Sequence, residues 1–182
     1  MIAVRGVAAT AVLVMAVTGT VTTTTSATAS GSGSGSAASS RPTDSAFLRA
    51  AHQGNLAEIE AGRDAGRNAT KRCVKRIGGL LVHDHRRMDR GITSLAAKLR
   101  VRLPGSPSAE QRRALAEVQA KKGTRAYDRA WLRMESAAHV KTLALISHEL
   151  RTGRNSEVKA AARKARPMVA MHLALVRSGF CR

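Results

Sequence analysis

"KRCVKRIGGLLVHDHRRMDRGITSLAAKLRV" occupies residues 71–101. Within it Val74, Ile77, Leu81, His85, Met88, Ile92, Leu95 and Leu99 recur at steps of three and four. Those steps bring side chains onto one face of an α-helix and onto no single face of a strand. The segment therefore reads as one long amphipathic helix whose buried stripe is interrupted by a histidine. "LPGSPS" (residues 103–108) ends it, because Pro104, Gly105 and Pro107 all oppose helix. The adjacent Gly78 and Gly79 lie inside the pattern, where close helix packing is the expected reason for them.

The same periodicity extends on both sides. Upstream, Asp44 is placed to cap a helix carrying Phe47, Ala51, Gly54, Glu58, Ala61 and Ala65, with a polar break at 66–70. Downstream, Ser108 caps a short helix to about Lys122, which Gly123 closes. A third long helix covers about 124–151 with Leu132, Glu135, His139, Thr142, Ile146 and Leu150 in its stripe, and Gly153 marks its end. A fourth starts near Asn155 or Ser156 and carries Val158, Ala161, Ala165, Met168, His172 and Leu175. Pro167 is expected to kink or break it. Two helical hairpins joined by a segment of about twenty residues predict an all-α, four-helix bundle of ferritin-like topology, its long crossover containing a short helix.

Composition agrees with helix. Apolar residues make up 43% of the chain but aromatics only 2%, so Ala, Leu, Val and Met must fill the core. Thirty-one Lys and Arg against twelve Asp and Glu give a net charge of +19. Such a charge draws a protein to polyanions, with anionic cell-envelope polymers the expected partners. Nucleic acid is disfavoured, because Phe47, Tyr127, Trp131 and Phe180 are scattered in or near apolar stripes and form no stacking face.

Residues 1–29 have the parts of an export signal: Arg5, an apolar run from Gly6 to about Val17, and Ala27-Thr28-Ala29 at the cleavage site. Residues 30–43 form a Gly/Ser-rich linker, and 44–182 the bundle domain. The mature chain, at +18 without Arg5, has no segment apolar enough to span a membrane and is expected in the envelope or outside the cell.

Five stretches together resemble the bacterial domain of unknown function 4142, a family of exported proteins grouped with the ferritin-like superfamily. They are "DSAFLRAAHQGNLAEIEAG" (44–62), "VHDHRRM" (82–88), "LRVRLPGSPS" (99–108), "YDRAWLRMESAAHVKTL" (127–143) and "RPMVAMHLALV" (166–176). The resemblance implies a helical fold and export, and it implies no enzyme. The family's recurrent polar positions fall on Glu58, Asp84, His85, His139 and His172. This chain departs from the resemblance in being unusually basic.

With Glu135, four residues before His139, these positions form a candidate metal-ligand set for Fe, Zn or Cu. Di-iron bundles use two E-x-x-H pairs, which this chain lacks: Val169 stands three residues before His172. That counts against a metal-dependent oxidase or a metal-storage protein. A hydrogen-bonded network fixing helix register is the competing reading of the same residues. Nucleophilic catalysis has no support, since neither G-x-S-x-G nor a phosphate-binding Gly loop occurs. His52 and His148 are expected at the surface or its boundary, without a role.

Helix rise permits a register check from the end where the second helix begins. With a crossover, His85 and His139 lie at roughly 22 and 21 Å, but Glu58 and His172 at roughly 14 and 9 Å, which splits the set into two levels. An up-down connection would move His172 to roughly 26 Å. Cys73 and Cys181 are an even pair in an exported chain and are expected to form a disulfide. The crossover puts them at one end of the bundle, so the cysteines and the histidine levels favour different connections.

Overall fold

The computed structural model describes residues 42–181; the expected export signal and nearly all of the expected linker lie outside them. The described residues are helical, with no strand among them. The helices are α1 (Pro42–Asn68), α2 (Arg72–Lys98), α3 (Ala109–Gln119), α4 (Arg125–Thr152) and α5 (Ser156–Arg177), followed by a 3₁₀ turn, Gly179–Cys181. None is long and apolar enough to cross a membrane.

Local chemistry sets most boundaries. Ser108 and Gln111 form a reciprocal capping box at the start of α3. Thr124 accepts from Tyr127 N to open α4, and Asn155 accepts from Glu157 N and Val158 N to open α5. Gly123, at φ 75°, makes the turn between α3 and α4 in the left-handed region that glycine enters freely. Two expectations are corrected. Helix α1 begins at Pro42, a favourable first-turn position for proline, so Asp44 lies inside it. Asp44 Oδ1 instead accepts from Arg154 N and Asn155 N, both at 3.0 Å, and caps the α4–α5 junction. Of the kink or break expected at Pro167, the break is overturned, since helix α5 continues through it.

Helix α1 packs on α2 and α4, and α5 packs on α4 and α2. At one end lie Asp44 with the α4–α5 junction, and Lys98 paired with Glu157 at 2.7 Å. At the other, Thr70 N donates to Asp128 at 2.9 Å and Gly123 N to Asn68 O at 3.0 Å. Helices α2 and α4 therefore run in the same direction. Residues 99–124 bring the chain back between them, with α3 lying against α4 and α1. Helices α1 and α2 approach most closely at Gly62 and Gly78. A Cβ on Gly78 would sit 2.7 Å from Gly62 O, whereas one on Gly79 would meet nothing within 4 Å. Of the adjacent pair Gly78 is required by packing and Gly79 is not; Gly62, whose Cβ would meet Gly78 O, is required as well.

Two apolar clusters fill the core. One holds Ala65, Val74, Leu81, Tyr127 and Trp131 at the α1–α2 turn end. The other holds Phe47, Leu48, Ile92, Ile146 and Val158 at the α4–α5 turn end. Trp131, fully buried, donates its indole N–H to Ala61 O at 3.0 Å. Cys73 and Cys181 are disulfide-bonded, with Cα atoms 5.7 Å apart and a sequence separation of 108. A loop of that length contributes about 4–5 kcal/mol by restricting the unfolded chain.

Candidate metal centre

Between the two apolar clusters all four long helices send polar side chains into one buried layer. Asn55 and Glu58 come from α1, Asp84 and His85 from α2, Glu135 and His139 from α4, and His172 from α5; none is more than 8% exposed. The three imidazoles face one another, with ring centroids 5.3 Å apart for His85–His172, 5.5 Å for His139–His172 and 5.9 Å for His85–His139.

The two levels expected from helix rise are thus corrected to one. Helix α5 has 22 residues against 27 in α2 and stops short of the α1–α2 turn end: Arg177, its last residue, donates to Ser136 well inside α4. Residues 178–181 cover the remaining distance to Cys73. Counted instead from the end where Lys98 meets Glu157, Glu58, Asp84, His85, Glu135, His139 and His172 all fall between roughly 20 and 26 Å. The chain returns through α3 and the histidines still meet.

Each ring has one nitrogen held by an oxygen and one left over. His139 Nδ1 lies 2.8 Å from the Glu135 carbonyl oxygen, which can only accept, so Nδ1 carries the hydrogen. His85 Nδ1 lies 2.9 Å from Asn55 Oδ1, and the Asn55 amide is oriented by donating to Asp89 at 3.4 Å. His172 Nε2 lies 2.9 Å from Asp84 Oδ2. Asp84 and Asp89 are anchored in turn, by His83 at 2.9 Å and His52 at 2.7 Å. The nitrogens left with lone pairs are His85 Nε2, His139 Nε2 and His172 Nδ1. All three are buried and none has a hydrogen-bond partner. Atoms of these three residues suited to ligate lie within 4.8 Å of one another.

Glu58, Glu135 and His139 form a second such group. Burial opposes a charge on Glu58, but the hydrogen bond from Glu135 and the fields of His139, His85 and His172 hold its pKa below the ordinary value. Burial, then the charge of Glu58, pushes Glu135 well above it. The pair shares one proton, with Glu58 the carboxylate and Glu135 the acid. Burial lowers His85 to about 4; Glu58 opposes that shift, and His172 and His139 add to it. Burial likewise lowers His172 despite its bond to Asp84. At neutral pH His85 and His172 are therefore neutral imidazoles, the state in which histidine ligates a metal, and Glu58 is a carboxylate beside them.

Residues 28–178 match the family model described as Domain of unknown function (DUF4142). The chain belongs to that family. A solved structure described as a DUF305 fragment from Deinococcus radiodurans is similar in fold, with a TM-score of 0.66 at 15% identity over 76% of this chain and 95% of that one. Among curated proteins no match is found. The family's description assigns no activity.

In this DUF4142 chain the structure brings Glu58, Asp84, His85, Glu135, His139 and His172 together, with Asp84 reaching the layer through His172. The sequence reading passed over Asn55, Asp89 and His83, and it set His52 aside as a surface or boundary residue. His52 is 8% exposed and bonded to Asp89, while His148 is exposed as expected. Asn55 had a usable signal: it lies three residues before Glu58, hence on the same face of α1.

Proposed function

We propose that this protein is an exported, non-enzymatic cell-envelope protein that binds one transition-metal ion in its core, with His85, His139 and His172 as ligands and Glu58 as the neighbouring carboxylate. Its fold is read as a four-helix bundle of ferritin-like type, whose crossover contains α3. The order of helix packing and the parallel course of α2 and α4 support that reading. Residues 1–29 are assigned to the export signal, 30–43 to the linker and 44–182 to the bundle.

The carrying observation is the three buried imidazole lone pairs without donors. A network built only to fix helix register would satisfy them, since each unsatisfied buried acceptor costs about 1–3 kcal/mol. Metal-bound histidines characteristically donate the other ring N–H to a carboxylate or carbonyl, and here the three acceptors are Asp84, the Glu135 backbone and the Asn55 amide. Three imidazoles suit Zn, Cu or Fe. Ligand nitrogens around such an ion at about 2.0 Å stand roughly 3.3 Å apart, so a small inward turn of the rings completes the site.

Mass-spectrometric metal analysis of the purified protein tests the assignment. Near-stoichiometric Zn, Cu or Fe is expected, lost in His139→Ala/His172→Ala and bound about 10–100-fold more weakly in Asp84→Ala. A metal-free protein that also fails to take up any of the three ions in titration would rule the site out.

A further inference from the structure

Two cavities meet at the seam between α1 and α4. The larger, about 600 Å³, lies beneath α3 and is walled by residues such as Ala57, Ala61, Leu115, Val118, Met134 and Ala138. The smaller, about 370 Å³, lies among α1, α2, α4 and α5 and is walled by Phe47, Met88, Ile92, Ile146 and Met168. Ala50, Gly54, Glu58, Thr142 and Leu145 line both. The larger cavity alone is within the range that takes a small organic molecule.

Gly54 and Glu58 decide what fits. A Cβ at Gly54 would meet nothing within 4 Å, so no neighbouring atom demands a glycine there. In the middle of a helix glycine costs about 1 kcal/mol relative to alanine, yet here it keeps the two cavities open to each other. Glu58 lines both cavities, and Glu135 lines the larger. Both are more than nine-tenths buried, and apart from each other nothing hydrogen-bonds Glu58 Oε2 or Glu135 Oε2. The floor is therefore a hydrogen-bond acceptor set in apolar walls. It favours an apolar body with one donating head. The rim mixes Arg112, Arg133 and Lys121 with Glu60 and Glu117, and so selects neither sign.

We propose that the α1–α4 seam binds a small apolar alcohol or amine, its head on Glu58 and Glu135 and its body in the cavity beneath α3. The site does not depend on an ion among the histidines.

The test is fluorescence titration of the purified protein with N-phenyl-1-naphthylamine, followed by displacement of that probe. Saturable binding at one site is expected. Gly54→Leu should weaken it about tenfold or more without lowering the thermal midpoint, because the leucine enters open space. Leu115→Trp, which fills the larger cavity from α3 outside the main helix contacts, should weaken it comparably. Decanol should displace the probe at about tenfold lower concentration than decyl methyl ether, which lacks the donor. No saturable binding, or unchanged binding in both variants, would overturn the site; equal displacement by the ether would overturn the role of Glu58 and Glu135.

Discussion

Two buried polar regions stand one above the other in this bundle and are finished differently. Near the α1–α2 turn, Asp64 accepts from the Tyr127 hydroxyl at 2.6 Å and from the Asn68 and Gln119 amides, each at 2.9 Å. Asp128 beside it accepts from Thr70 N, the Thr70 hydroxyl and Lys71 N. One helical turn or two further in, three imidazole nitrogens and two carboxyl oxygens lack an outside partner. Polar burial is therefore no guide to function by itself. The Asp64 node is closed and holds helices together; the histidine layer has its outer bonds made and its inner ones open.

The widest separation of the two regions is expected from Asp64→Ala. Removing the shared acceptor strands the buried Tyr127 hydroxyl and frees two amides, at a cost of about 3 kcal/mol in urea unfolding. A loss below about 1 kcal/mol would erase the contrast.

The α4–α5 junction is an intermediate case, with a smaller effect that depends on pH. Burial, then the hydrogen bond to Asp44, raises the Glu149 pKa from 4.5 to about 7. A carboxyl whose pKa is raised by folding stabilises the folded state below its unfolded value. That contribution is lost as pH climbs from 4.5 to about 7 and is absent above. Glu149→Gln cannot ionise, so its thermal midpoint should match wild type near pH 4 and exceed it at pH 8. A gap of the same size at both pH values would show that ionisation of Glu149 is not the cause.

The smallest effect is expected in the histidine layer. In chelator-treated protein, His139→Leu removes an unsatisfied acceptor and substitutes an apolar group of similar size, and the Glu135 carbonyl it leaves stays in the α4 helix ladder, so stability should stay within about 1 kcal/mol of wild type. A loss above about 3 kcal/mol would put this layer beside Asp64 as architecture.

The residues of the site were legible because the helix repeat exposes any polar side chain that falls on an apolar stripe; Glu58, His85, Glu135, His139 and His172 all do. The partners were harder to see. Asp89 and His83 lie off the stripe of α2 and act through bonds to Asn55, His52 and Asp84, which no spacing within one helix reveals. The levels were misread because they were counted from the end that α5 does not reach.

By itself the sequence determined the helices and the loops between them, the polar residues of the histidine layer that fall on apolar stripes, and a cysteine pair able to close the fold. These follow from a backbone repeat that acts over a few residues. Only the tertiary structure decided that three imidazoles share one level, which lone pairs stay open, and that Gly54 faces empty space. Those depend on how far one helix slides along another, and that is set by packing and connections between residues distant in the chain.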